Sequence, residues 1–128
     1  MEVDIWHRLI DLEHKAADFG LTWPNAITIM QQIESECREI REQLNETNQD
    51  SVLLSAEIGD LMHAVMSLSW FCGFDSHDVL KQSCDKFDTR LQMMKTIAKE
   101  QGLEHMKDKS FSELIEYWQL SKSRLDQM

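Results

Sequence analysis

Proline and glycine are scarce in this chain: Pro24 is the single proline, and 128 residues hold four glycines. With so few breakers, long uninterrupted helices or strands are expected. No apolar run approaches the roughly 20 residues that cross a bilayer. The opening Met-Glu-Val-Asp-Ile-Trp is acidic and lacks a basic region followed by an apolar stretch, so no secretory leader is expected. Cysteine is limited to Cys37, Cys72 and Cys84, an odd number at no metal-ligand spacing. Each lies on or near an apolar stripe, where a reduced thiol acts as a small hydrophobe, so all three are expected in the core of a cytoplasmic protein. Positive charge is also short. Thirteen Lys and Arg against 23 Asp and Glu give a net charge of −10. That balance argues against binding a nucleic-acid backbone. It also means that a polyanionic substrate needs cations to bridge the repulsion.

What is present is helical periodicity. Ile5, Leu9, Leu12, Ala16 and Phe19 are spaced four, three, four, three, which predicts an amphipathic helix over 3–18 stopped by Gly20. Pro24 suits the first turn of a second helix, with the stripe Met30, Ile33, Cys37, Ile40 and Leu44. The polar stretch 45–50 breaks it. A third helix carries Leu54, Ile58, Leu61, Val65 and Leu68 and ends at Gly73. Ser76 is a candidate cap for a fourth, with Leu80, Cys84, Phe87, Leu91, Met94 and Ala98, ending at Gly102. Ser110-Phe-Ser-Glu113 has the form of a capping box and opens a fifth through Leu114, Trp118 and Leu125. Alternating strand patterns and internal repeats are absent. The expected architecture is a single all-α domain over 1–128, an antiparallel bundle of about five helices.

Four acids stand out against this pattern. Glu36 and Glu39 each precede a stripe residue, as do Glu57 and Asp60, so each pair lies on one helix face beside the expected seam. The short loop between the second and third helices makes them antiparallel neighbours. That pairing sets Glu39 level with Glu57, and Glu36 level with Asp60. Like charges gathered beside a core need neutralising, and hard divalent cations with oxygen ligands do this best. Mg²⁺ is the expected ion, with Mn²⁺ a substitute. On the fourth helix, Lys86 and Arg90 repeat the same offset, before Phe87 and Leu91. They are candidates to hold phosphate oxygens, unless Asp85 and Asp88 neutralise them locally.

Five segments in register resemble the MazG family of all-α nucleoside triphosphate pyrophosphohydrolases. They are Phe19-Gly-Leu-Thr-Trp23-Pro24, Ile33-Glu-Ser-Glu36-Cys-Arg-Glu39-Ile, Ala56-Glu57-Ile-Gly59-Asp60-Leu-Met62, Cys84-Asp85-Lys86-Phe87-Asp-Thr-Arg90 and Glu113-Leu-Ile-Glu-Tyr-Trp118-Gln-Leu-Ser-Lys122. The resemblance runs from about residue 19 to 125. It implies that Glu36, Glu39, Glu57 and Asp60 bind Mg²⁺ and form the catalytic site. It implies further that Lys86 and Arg90 hold phosphates, and that Trp118 and Lys122 help to form the nucleotide site. The implied reaction cleaves between the α- and β-phosphates, giving a nucleoside monophosphate and pyrophosphate, in nucleotide-pool house-cleaning. A homodimer or higher assembly is implied, with the bundle shared between chains; no nucleic-acid or membrane partner is expected from the charge and the apolar runs noted above. Gln32, Ser35, Leu53 and Ala56 depart from common family residues, which bears on substrate range and catalytic strength.

Two other readings fit parts of the pattern. A non-catalytic helical interaction protein would keep the fold without the reaction. A di-iron carboxylate bundle would use acid-x-x-His spacings such as Asp60–His63, Asp4–His7 and Asp11–His14, but it leaves Lys86, Arg90 and the C-terminal motif unexplained.

Overall fold

In the computed structural model, which describes residues 4–128, the chain is all-α. Five helices follow in order among the described residues: α1 Ile5–Phe19, α2 Ala26–Asn45, α3 Ser51–Phe71, α4 Ser76–Glu100 and α5 Phe111–Asp126. The predicted onset of the first helix at residue 3 lies outside the described residues. The chain divides into two compact units, one ending at Val79 and the other running Leu80–Met128.

Most helix ends follow from local hydrogen bonds. Asp4 caps α1 by accepting from the Trp6 N–H, and Gly20 closes it in the left-handed region at φ 108°, which a residue bearing Cβ enters only with strain. Asn25 caps α2, its Oδ1 accepting from the Thr28 N–H at 2.8 Å. Pro24 therefore stands just before the cap and not inside the first turn. Asp50 caps α3 through the Val52 and Leu53 N–H groups. Asp75, not Ser76, serves α4: its Oδ1 accepts from the Asp78 N–H at 3.1 Å, while the buried Ser76 donates to the Met66 carbonyl. At α5 the capping box is complete, with Ser110 and Glu113 each bonding the other's backbone N–H.

In the first unit α2 packs along α3 and α1 packs on α3. The rotation of α2 and α3 differs from expectation. The covered row of α2 is Ile29, Ile33, Glu36 and Ile40, whereas Met30, Cys37 and Leu44 are exposed. On α3 the row is Leu54, Glu57, Leu61 and Ala64, with Ile58 and Val65 exposed. Glu36 and Glu57 thus take positions in the seam that were assigned to Cys37 and Ile58. The expected burial of the cysteines is corrected too: all three are exposed and none is in a disulfide.

The sequence of α3 explains why its periodicity misled. It is apolar or small around most of its circumference, so several faces are equally fit to be covered. At 21 residues and a mean hydropathy of 1.2, it is long and apolar enough to cross a membrane by length and composition. This corrects the reading that no stretch reaches that length; Glu57 and Asp60 interrupt the run without lowering the mean below it.

In the second unit Leu80–Thr89 of α4 are all exposed, including the expected core residues Leu80, Cys84 and Phe87. Coverage starts at Arg90 and Leu91 and is deepest at Ile97 and Ala98. Polar contacts with α5 follow at its end: Arg124 pairs with Glu100, and the Tyr117 hydroxyl donates to Gln101 at 2.7 Å.

Candidate functional site

Glu36 is a buried carboxylate on the covered face of α2. One oxygen, Oε1, accepts from Gln32 Nε2 at 2.8 Å. The other, Oε2, is buried with no hydrogen-bond partner among the described residues, and so is Oε2 of Glu57 on the facing helix. A buried polar atom without a partner costs on the order of 1–3 kcal/mol, and more when the group is charged. Sequence periodicity alone does not account for that expense at two carboxylates in one hairpin.

Glu39 lies one turn along α2, on the exposed side. Its carboxyl titrates above the usual carboxylate value, first because of the Glu36 charge, then through partial desolvation, then the Glu57 charge. Three of the four acids therefore sense one another electrostatically. Asp60 joins Glu36 in lining a cavity of about 200 Å³, together with Trp23, Gln32, His63 and Ser67.

These features test whether a divalent cation suits the residues present. Ionised carboxylates only accept, so donors or cations must satisfy them, and the two orphaned oxygens have no donor. Oxygen-only donors at such density suit a hard cation such as Mg²⁺. The donor set fits the ion.

Lys86 and Arg90 belong to the second unit, and their surroundings differ. Local neutralisation by the neighbouring acids does not occur: Asp85 pairs with Lys81 at 3.0 Å and Asp88 accepts from Gln92. Among the described residues Lys86 is exposed and has no ion pair. Arg90 lies over the Trp118 ring, 5.8 Å from its centroid, and Phe87 stands 5.8 Å from that ring at a 44° tilt. Trp118 is thus a packing partner of Phe87 and Arg90, and Lys122 is partly covered nearby on the same helix.

Three groups escaped sequence reasoning. Gln32, read only as a departure, is the donor to Glu36. Glu13 on α1 accepts from Ser67 Oγ at 2.6 Å and lies 3.3 Å from His63 Nε2. No spacing signal links residues about fifty positions apart. Asp75, His77 and Asp78 bring one ligand atom each within 4.8 Å at the start of α4. All three are exposed there, and Asp75 is already engaged as the helix cap.

An all-α chain with carboxylates that could hold a hard cation falls in the class of helical proteins with a candidate metal site. Within that class, residues 25–94 match the MazG nucleotide pyrophosphohydrolase domain, more than half of the chain, and the chain belongs to this family. It is 27% identical over 111 residues to a nucleoside triphosphate pyrophosphohydrolase/pyrophosphatase MazG of Thermotoga maritima, covering 87% of this chain and 41% of that protein. It is 24% identical over 111 residues to a nucleoside triphosphate pyrophosphohydrolase of Escherichia coli, covering 87% and 42%. The chain therefore spans about two fifths of the length of the curated relatives it matches.

Proposed function

We propose that this chain is a Mg²⁺-dependent nucleoside triphosphate pyrophosphohydrolase, releasing pyrophosphate and a nucleoside monophosphate in nucleotide-pool house-cleaning. The observation that carries the reading is the pair of orphaned carboxylate oxygens on Glu36 and Glu57, in a chain of the MazG family. Glu36, Glu39, Glu57 and Asp60 would hold the metal, which when bound neutralises the phosphates and polarises the bond to be broken. Gln32 fixes the Glu36 carboxylate by one oxygen, so that the other keeps its direction. Lys86, which has no ion pair among the described residues, would contact phosphate oxygens as a point charge, as the family resemblance implies, and Arg90 would do so as a fork held against Trp118. Trp118 and Lys122 complete the nucleotide site, as the family resemblance implies. One domain over 1–128 carries these functions.

The same reading includes a homodimer at least. Met30, Cys37 and Leu44 recur every seven residues along α2, and Ile58 and Val65 occupy the equivalent offset on α3; all are exposed. In an antiparallel pair, one residue beyond the seam on each helix is the same side of the hairpin. A contiguous apolar side of this kind marks an interface. At Gly59 an added Cβ would meet nothing within 4 Å, so no contact inside the chain calls for glycine there. Close approach by a second chain supplies a reason. Three exposed free cysteines suit a reducing compartment, and we place the protein in the cytoplasm, without a nucleic-acid or membrane partner.

The test is a screen of ordinary and damaged nucleoside triphosphates with Mg²⁺ or Mn²⁺, reading pyrophosphate. Metal-dependent release from at least one is expected. No release from any would leave a helical interaction protein, and activity that needs iron and oxygen would favour the di-iron reading.

A further inference from the structure

Glu13 lies outside the matched residues 25–94, yet its carboxylate reaches α3. It is well covered, at 12% exposed, and its Oε1 accepts from the buried Ser67 while lying 3.3 Å from His63 Nε2. A carboxylate oxygen that already takes the Ser67 hydroxyl is an acceptor, so in this contact Nε2 is the donor, which leaves Nδ1 as the nitrogen that can accept when the ring is neutral. His63 also lines the cavity of Glu36, Asp60 and Gln32. With Nε2 occupied by Glu13, Nδ1 is the ring nitrogen left to serve that cavity.

We propose that His63 accepts the proton of the attacking water and that Glu13 is its positioning residue. This rests on the triphosphate reading above. The water oxygen bonds to the α-phosphorus, and the bond from that phosphorus to the α–β bridging oxygen breaks. The bridging oxygen leaves with the electron pair as part of pyrophosphate. One water proton passes to Nδ1 and the other stays with the new phosphate oxygen. The imidazolium so formed presents its Nε2–H to the Glu13 carboxylate, an acceptor that Ser67 holds in place, and later releases the Nδ1 proton to solvent. The family motifs quoted above include neither position 63 nor Glu13, whereas Ser67 stands two turns beyond Asp60 on the same side of α3 and lines the same cavity. The arrangement is a property of this chain's α1–α3 contact.

The experiment uses the full chain and the best triphosphate found in the screen. His63→Ala is expected to lose about a hundredfold or more in kcat, with KM within about threefold of wild type. Added imidazole should restore at least about tenfold of that loss, which a purely structural defect would not allow. Glu13→Ala should lower kcat by about tenfold, and Glu13→Gln, which keeps an acceptor for Nε2 and Ser67, should recover part of it. Neither His63→Asn nor His63→Gln carries a basic nitrogen, so both should lose kcat to about the level of the Ala variant while remaining folded. These two variants decide the matter if the Ala variant does not fold. Mg²⁺-induced thermal stabilisation should persist in every folded variant. Wild-type kcat in His63→Ala overturns the proposal, as does a loss that imidazole does not restore, or wild-type kcat in a folded His63→Asn or His63→Gln. If the wild type itself releases no pyrophosphate, the enzyme reading fails first and both fall together. Turnover in the wild type with unaffected His63 variants removes only the present inference.

Discussion

Glu36 on α2 and Glu57 on α3 each keep one carboxylate oxygen, Oε2, buried and without a hydrogen-bond partner, on two helices packed against each other. Two acids in the covered rows of a hairpin are a standing cost to the fold, which a cation held between them would remove.

Neutralising either acid should therefore separate stability from function. Glu36→Gln or Glu57→Gln is expected to raise metal-free stability by about 1–3 kcal/mol, a few degrees in Tm. The same variants should lose the Mg²⁺-induced rise in Tm and the turnover. Thermal melts with chelator and with Mg²⁺, beside pyrophosphate release, check this. Unchanged turnover in both would remove the proposed site.

The raised Glu39 carboxyl gives a pH dependence of definite sign. The folded state binds this proton more tightly than the unfolded chain does. Its stabilising contribution is full below the ordinary value of 4.5 and is lost as pH rises through the raised value. Glu113 behaves oppositely. Hydrogen bonds to Ser110 lower its carboxyl, so its contribution is present above the ordinary value and lost as pH falls through the lowered one. In chelator, Glu39→Gln should flatten the fall in Tm on the neutral side, and Glu113→Gln should flatten the fall on the acid side. Melts across the carboxylate range measure both, and bound Mg²⁺ should erase the Glu39 slope.

Lys86 and Arg90 make different demands, because Arg90 lies over Trp118 whereas Lys86 has no ion pair among the described residues. Lys86→Ala should leave stability within about 0.5 kcal/mol of wild type. Arg90→Ala should cost about 0.5–1 kcal/mol for the lost stacking. Each should lose about 1.5–3 kcal/mol of transition-state stabilisation in kcat/KM and keep Mg²⁺-induced stabilisation. Wild-type kinetics in both variants would place the phosphate contacts elsewhere.

Assembly is tested at Val65, exposed on α3 on the apolar side of the hairpin. The wild type should sediment as a dimer or larger species at micromolar concentration. Val65→Glu, which would bury an unpaired charge at such an interface, should weaken association by at least about tenfold. A monomeric wild type would overturn the interface.

What the sequence determined by itself is what depends on near neighbours. The Gly20 stop and the Ser110–Glu113 capping box are hydrogen bonds within a few residues, so composition at those positions was enough to place them. Pro24 and Ser76 show the limit even there: each stands beside a better cap, Asn25 or Asp75, and a one-residue choice between capable side chains is not visible in a pattern. The helical class was legible, and so were the α2–α3 hairpin and the four acids along it, because spacing and a short loop dictate them. Which side of each helix would be covered was not. Cys37 and Glu36 differ by 100° of rotation, as do Ile58 and Glu57, and a helix apolar on several sides can satisfy the hydrophobic effect in more than one orientation. Only packing put the acids inward and left Cys37 and Ile58 outside. The contact of Glu13 with His63 and Ser67 lay further still beyond the sequence, since it joins residues brought together by the docking of α1 on α3 and has no local signature to read.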